Sequence, residues 1–121
     1  MLNLCAIRRL QSALRSFEER LKDETGLSFN DALLLCAVEK GIVEPSALAK
    51  ELDLSPSRLT RVIDSLEGRS LVQRTLSITD RRSLVISLTE AGEELVLAYN
   101  CCELQIPEEL AFTQEESWQH I

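Results

Sequence analysis

The sequence predicts a mainly helical fold with one small β-hairpin, an α+β fold, and two observations carry this prediction. Up to residue 68, apolar residues recur at the spacing of amphipathic helices, in segments separated by glycine or proline. After Gly68 the spacing changes, and Leu84, Ile86 and Leu88 alternate along the chain as in a half-buried strand. With 121 residues, the chain is long enough for one domain with a hydrophobic core.

The N-terminal segment, from about Leu2 to Glu24, is predicted to be one long helix that ends at Gly26. Its apolar residues recur at alternating steps of three and four, the spacing of a helix that packs along another helix. They are Ile7, Leu10, Leu14, Phe17 and Leu21. A second helix begins at Ser28, because Asp31 stands three residues later in a capping arrangement, and it ends at Gly41.

Two shorter helices follow, joined by a tight turn, and the pair Ile42-Val43 before them is too short for more than a bridge strand. The first runs from Pro45 to Leu52, since proline suits the first turn of a helix. After the turn 53–55, Ser55 is the expected N-cap and Pro56 the first residue of the next helix. The apolar residues of that helix share one face, at Leu59, Val62, Ile63 and Leu66. The pair is typical of a helix-turn-helix.

The following segments predict a β-hairpin with strands at Leu71–Thr75 and Leu84–Leu88. The connection between them is polar and ends in Thr79-Asp80-Arg81-Arg82-Ser83, which gives the hairpin a charged tip. Thr89 is the expected N-cap of a fifth helix, from Glu90 to about Leu104. A helix-turn-helix followed by such a hairpin indicates a winged helix-turn-helix, in which the hairpin is the wing.

Charge is unevenly distributed along the chain. The formal net charge is −7, and residues 85–121 alone contribute −8 through eight glutamates. Residues 54–84, in contrast, carry six arginines and three acidic residues, a net charge of +3. This pattern is that of a local phosphate-binding face on an acidic protein.

The fourth helix is predicted to present its polar side to DNA. If its apolar face packs on the core, its exposed N-terminal half offers hydroxyls and arginines, which can contact bases and phosphates in the major groove. The arginines of the hairpin tip would reach neighbouring phosphates or the minor groove, with the aspartate beside them orienting a guanidinium. The predicted DNA-binding residues are Ser55, Ser57, Arg58, Thr60, Arg61, Arg74, Asp80, Arg81 and Arg82.

The run 54–94 resembles the recognition helix and wing of the MarR family of bacterial transcriptional regulators. The most specific part is Arg74, followed after five residues by Asp80-Arg81-Arg82 and then by Leu88-Thr89-Glu90-Ala91-Gly92. Members of that family usually have glycine where Ser70 stands, and we expect the glycine two residues earlier to take the left-handed turn instead.

The resemblance implies a homodimeric repressor that binds pseudo-palindromic double-stranded DNA and is released by a small ligand or by oxidation. The implied parts are one domain over 1–121, a DNA-binding lobe at 27–89, dimerisation helices at 1–24 and 90–121, a recognition helix at 56–67 and a wing at 75–83. The expected dimer interface consists of Ile7, Leu10, Leu14, Phe17, Leu95, Ala98 and Cys102. It would cover the apolar seam of the first helix, the row of apolar residues from Ile7 to Leu21, which would otherwise be an exposed apolar patch.

Three cysteines are candidates for a redox response. Cys5 lies near the start of the first helix, where peroxide-sensing relatives keep a reactive cysteine, and Arg8 and Arg9 are close in sequence. Cys101 and Cys102 form a vicinal pair near the end of the fifth helix. The alternative is that these thiols pack as small apolar groups, as most cysteines do.

Other function classes are disfavoured. The four cysteines have no metal-ligand spacing and His120 is the single histidine, so neither a metal nor another cofactor is expected, and no nucleophile–base pair indicates an enzyme. No apolar run could span a membrane, and Arg8 and Arg9 interrupt any secretory signal, which predicts a cytoplasmic protein. The alternative function is a winged-helix protein-interaction module that has lost DNA binding and uses its acidic surface.

Overall fold

A computed structural model describes residues 3–79 and 83–100. Within them the chain forms five helices and one antiparallel two-stranded sheet, which confirms the predicted fold class. The elements are α1 (Leu4–Thr25), α2 (Phe29–Glu39), α3 (Pro45–Glu51), α4 (Pro56–Gly68), β1 (Val72–Leu76), β2 (Leu84–Leu88) and α5 (Glu90–Asn100). They divide into two compact units, of which the first includes 3–28 and the second 29–79 and 83–100. None of the helices in these ranges is both long and apolar enough to cross a bilayer.

Helix α1 begins slightly later than the sequence predicts because Asn3 caps it. The Asn3 Oδ1 atom accepts hydrogen bonds from the backbone N–H groups of Cys5 (3.1 Å) and Ala6 (3.2 Å). Gly26 follows the helix in the left-handed conformation (φ 76°), where glycine is favoured.

Helices α2, α3 and α4 end in the same way, each with a left-handed residue just beyond its last turn. These residues are Gly41 (φ 101°), Asp53 (φ 54°) and Ser70 (φ 60°). In each case the next N–H donates to a carbonyl five residues earlier, as between Leu71 and Leu66 (3.0 Å) at the end of α4. This Schellman arrangement satisfies carbonyls that the helix leaves without partners.

The expectation that Gly68 takes the left-handed turn is wrong. Helix α4 extends through Gly68, so the C-cap falls on Arg69 and the left-handed position on Ser70. A side chain in this conformation costs roughly 1–2 kcal/mol relative to glycine.

The core of the second unit lies around α2, which packs against α3, α4, β2 and α5. Leu34 and Leu35 of α2 are completely buried, as is Ile86 of β2. The segment Ile42-Val43 is not a strand, yet the Val43 carbonyl accepts a hydrogen bond from the Ile86 N–H (2.8 Å). The wing is thus tied to the helical core at its second strand.

The hairpin pairs Val72 with Leu88 at one end and Leu76 with Leu84 at the other. Strand β2 has the predicted bounds, whereas β1 lies one residue later than predicted. The reason is that the Leu71 N–H closes the end of α4, so the chain becomes extended only after it.

Candidate nucleic-acid interface

Helix α4 is held against the core by its apolar face, as the sequence predicts. Leu59, Ile63 and Leu66 are buried and Val62 is half-buried. Because these positions recur at helical spacing, the opposite face is exposed along the whole helix.

That exposed face carries the predicted base-contacting residues. Ser57, Arg58, Thr60 and Arg61 are all exposed. Within the described ranges, neither Arg58 nor Arg61 forms an ion pair. Both guanidiniums therefore remain solvated, and each can donate bidentate hydrogen bonds to a base edge or a phosphate.

Two of the predicted hydroxyls serve the helix itself. Ser55 is the N-cap, and its Oγ accepts a hydrogen bond from the Arg58 N–H (3.2 Å) while lying 3.4 Å from the Ser57 Oγ. The Thr60 Oγ1 donates to the Pro56 carbonyl one turn earlier (2.9 Å). Thr60 consequently presents its methyl group, which can contact a thymine methyl, and the lone pairs of its oxygen, which can accept from a donor.

Arg74 is placed differently from the other arginines. Its guanidinium donates to Asp64 Oδ1 (2.6 Å) and to Glu67 Oε1 (2.5 Å), and its backbone N–H donates to Glu67 Oε2 (3.3 Å). The hydrogen bond to Asp64, followed by the charge of Glu67, raises the pKa of Arg74. Arg74 thus links the first wing strand to the exposed side of α4, which indicates a positioning role.

The wing is joined to α5 by a second set of contacts. The Thr89 Oγ1 donates to the Ser70 carbonyl (2.6 Å) and accepts from the Gly92 N–H (3.1 Å), so it caps α5 while holding the end of α4. A Cβ atom on Gly92 would overlap the carbonyl oxygen of Leu71. The Thr-x-x-Gly spacing therefore has a steric cause, which the resemblance alone did not supply.

The wing tip, Asp80, Arg81 and Arg82, lies outside the described residues, and its role stays a prediction. The hairpin up to the tip is described, and the Ser77 N–H donates to the Ser83 carbonyl (2.8 Å) just beyond the last paired strand residues. Near this end, three exposed apolar side chains escaped the sequence analysis: Leu76, Ile78 and Leu84. Leu84 stands two residues outward from the buried Ile86, and Leu76, its partner in the ladder, stands four residues outward from the buried Val72.

The candidate dimer residues are distributed over both units. On α1, Ile7 and Leu14 are 37% and 38% exposed, and Leu10 and Phe17 are half-buried. On α5, Leu95 and Ala98 are half-buried, while Val96 is buried in the core of the second unit. Cys102 lies outside the described residues.

The cysteines differ in environment. Cys5 is exposed, and Cys36 on α2 is half-buried. Burial raises the pKa of the Cys36 thiol, which keeps it protonated and unreactive. Cys101 and Cys102 lie outside the described residues, so their redox role stays a prediction.

A cavity of about 470 Å³ lies in the second unit, between α2, β2 and α5. Its apolar lining consists of Val38, Val43, Ile86, Leu88, Val96 and Leu97. Glu39 and Glu93 add two carboxylates, and Ser87 adds a buried Oγ that has no hydrogen-bond partner among the described residues. Over the same part of the chain, no group of acidic, cysteine or histidine side chains could hold a metal ion.

Known proteins resemble this chain both in sequence and in fold. The MarR family model matches residues 32–84. The transcriptional repressor MprA of Escherichia coli is 30% identical over 122 residues, which cover 93% of this chain and 68% of the repressor. The chain belongs to the MarR family. The HTH-type transcriptional regulator YhbI of Bacillus subtilis is 47% identical over 58 residues, which cover 48% of this chain and 38% of that protein.

Solved MarR structures share the fold. The apo form of MarR from E. coli has a TM-score of 0.70 at 22% identity, and the match covers all of this chain and 87% of the MarR chain. A MepR variant from S. aureus bound to an oligodeoxyribonucleotide has a TM-score of 0.65 at 20% identity, over 99% of this chain and 91% of its own. The winged-helix architecture is therefore that of a family of DNA-binding transcriptional regulators.

Proposed function

We propose that this protein is a sequence-specific, homodimeric repressor that binds pseudo-palindromic double-stranded DNA in the cytoplasm, without enzymatic activity. Helix α4 enters the major groove and the wing lies at the minor groove. The observation that carries the proposal is the exposed face of α4, where Arg58 and Arg61 are solvated and free of ion pairs within the described ranges. The DNA-bound S. aureus relative supports this use of the fold.

Only part of the arginine set is proposed to contact DNA. Arg58 and Arg61 have guanidiniums free for base edges and phosphates, whereas the guanidinium of Arg74 is bound to two carboxylates of α4. Ser57 and Thr60, whose side chains are shorter, are proposed to contact bases and phosphates that lie close to α4. From the sequence, Arg82 is proposed to reach the minor groove.

The test is selection of bound sequences from a library of random duplexes, followed by fluorescence anisotropy with the enriched duplex. We expect an inverted repeat to be enriched. Arg61→Gln should weaken binding by about 1–3 kcal/mol and relax the preference at one position of each half-site. Arg15→Gln makes the same change of charge at an exposed position of α1 and is the control. No enrichment, or equal affinity of both variants, contradicts the proposal.

A second copy of the chain is proposed to cover the apolar seam of α1. Ile7 and Leu14, seven residues apart in that seam, each leave more than a third of their surface exposed. Sedimentation equilibrium tests this: Leu14→Asp should give a monomer, and Ser12→Asp, on the opposite side of the helix, should remain dimeric. A dimer with both substitutions would exclude the seam from the interface.

The repressor is proposed to be released by a small ligand in the cavity between α2, β2 and α5, or by oxidation. Among the described residues, the lining holds carboxylates of Glu39 and Glu93 and no basic side chain, so it favours a cationic or neutral aromatic ligand over an anion. Thermal-shift titration with benzyltrimethylammonium and benzoate tests the charge preference, and peroxide treatment of the DNA complex tests oxidation. Stabilisation by benzoate alone would contradict this choice of ligand.

A further inference from the structure

The outer end of the hairpin carries large apolar side chains that nothing in the second unit covers. Leu76 is 60% exposed, Leu84 47%, and Ile78 is fully exposed at 101%. Exposed aliphatic residues are common singly, but three within nine positions of one hairpin mark a contact surface. We call Leu76, Ile78 and Leu84 the wing patch.

The register places two members of the patch side by side. Leu76 is paired with Leu84 in the antiparallel ladder, and directly paired residues project from the same face of a sheet. The next hydrogen bond outward, from Ser77 N–H to the Ser83 carbonyl, holds the strands together beyond this pair. Leu76 and Leu84 are therefore held in place by strand pairing, although they lie beyond the hydrophobic core.

Leu76 and Leu84 of the patch lie on the hairpin face that turns toward the recognition helix. Arg74 and Ile86 form the pair two positions inward, so they share this face. Arg74 extends from it to Asp64 on the exposed side of α4, and Ile86 is buried. A partner seated against the exposed side of α4 and continuing along the hairpin therefore meets the wing patch.

We propose that the wing patch packs against the deoxyribose walls of the minor groove of bound DNA. This inference rests on the proposed function and adds a nonpolar term to it. The occupant is indicated by charge complementarity: Arg81 and Arg82, which follow Asp80, stand between Ile78 and Leu84 in the sequence, so the apolar groups flank a pair of cationic groups. The minor groove combines these features, with apolar sugar edges between two rows of phosphates, and proteins that bind it commonly use aliphatic side chains there.

The wing patch and the arginines differ in how their contributions respond to salt. Phosphate contacts release counterions, so losing one reduces the slope of log K against log salt by about 0.9. Removing an apolar contact lowers affinity at every salt concentration and leaves the slope unchanged. Because the width of the minor groove depends on DNA sequence, the patch also favours duplexes whose groove is wide enough to accept its side chains.

The experiment compares the wild type with Ile78→Ser and with the double variant Leu76→Ser/Ile78→Ser, using the duplex selected by the wild type. Leu33→Ser, at a 37% exposed leucine on α2 to which no DNA, dimer or ligand contact is assigned, is the control. We expect the double variant to bind about tenfold more weakly, which is about 1.4 kcal/mol, with an unchanged salt slope and melting temperature. Arg61→Gln should instead reduce the slope.

The outcomes separate this inference from the proposed function. If the wild type binds the duplex but both patch variants bind equally well, the wing patch does not contact DNA. If the variants change the oligomeric state in sedimentation while affinity per dimer is constant, the patch contacts a second copy and the inference fails. If the wild type binds no duplex, the proposed function fails, and this inference fails with it.

Discussion

Arg74 provides the sharpest test of how the wing and the recognition helix are held together. Its guanidinium donates hydrogen bonds to Asp64 at 2.6 Å and to Glu67 at 2.5 Å. The side chain of Arg74 is 27% exposed, that of Asp64 61% and that of Glu67 41%. Charge-assisted hydrogen bonds contribute about 1.5–3 kcal/mol when shielded, but exposed ion pairs contribute only about 0.2–1 kcal/mol. Since the carboxylates are well exposed, we take about 0.5–1 kcal/mol per pair, and Arg74→Gln should lower the free energy of unfolding by about 1–2 kcal/mol.

The assay is urea unfolding at fixed protein concentration, because dissociation of a dimer would otherwise shift the midpoint. Arg74→Gln is measured alone and in a background with Asp64→Asn and Glu67→Gln, where it should cost far less. In DNA titrations, Arg74→Gln should leave the salt slope unchanged. An equal loss of stability in both backgrounds would show that the ion pairs of Arg74 with Asp64 and Glu67 do not stabilise the fold, and a slope smaller by about 0.9 would show that Arg74 contacts a phosphate.

Three further predictions concern the end of α4, the contact between α5 and Leu71, and the half-buried thiol of Cys36. Ser70→Gly should raise the unfolding free energy by about 0.5–1 kcal/mol, because glycine relieves the left-handed strain but gains entropy when unfolded; a lower urea midpoint would contradict this. Gly92→Ala should destabilise by about 1–3 kcal/mol, because its Cβ overlaps the Leu71 carbonyl oxygen, and an unchanged melting temperature would show that α5 shifts freely. Burial raises the pKa of the Cys36 thiol, so less thiolate is present at pH 8. Iodoacetamide should therefore label Cys36 more slowly in the folded chain than in urea, and equal rates would contradict this prediction.

Local chemistry explains which parts of the fold the sequence could predict. Ser55 and Pro56 mark the start of α4 by their own capping and backbone preferences, and the structure confirms both. Strand β2 was bounded correctly because its alternation is complete between Leu84 and Leu88. These features depend on neighbours within four residues, which sequence patterns report directly.

Features that depend on two elements were not predictable. The sequence predicts a DNA contact for Arg74 from its charge but does not predict its ion pairs, because its partners stand seven and ten residues earlier on another element and only the hairpin's placement brings them within reach. Ser70 was missed for a related reason, since the left-handed position depends on where α4 ends. Because α4 continues through Gly68, that position falls two residues later, on Ser70.

The salt dependence of DNA binding tests the central claim most directly. Fluorescence anisotropy would measure the wild type against the selected duplex and a scrambled duplex of equal length, from low to high salt. We expect tighter binding to the selected duplex by at least about a thousandfold, and a linear fall of log affinity with log salt. Equal affinity for both duplexes, or no binding at low salt, would contradict it, and the exposed arginines of α4 would then need another partner.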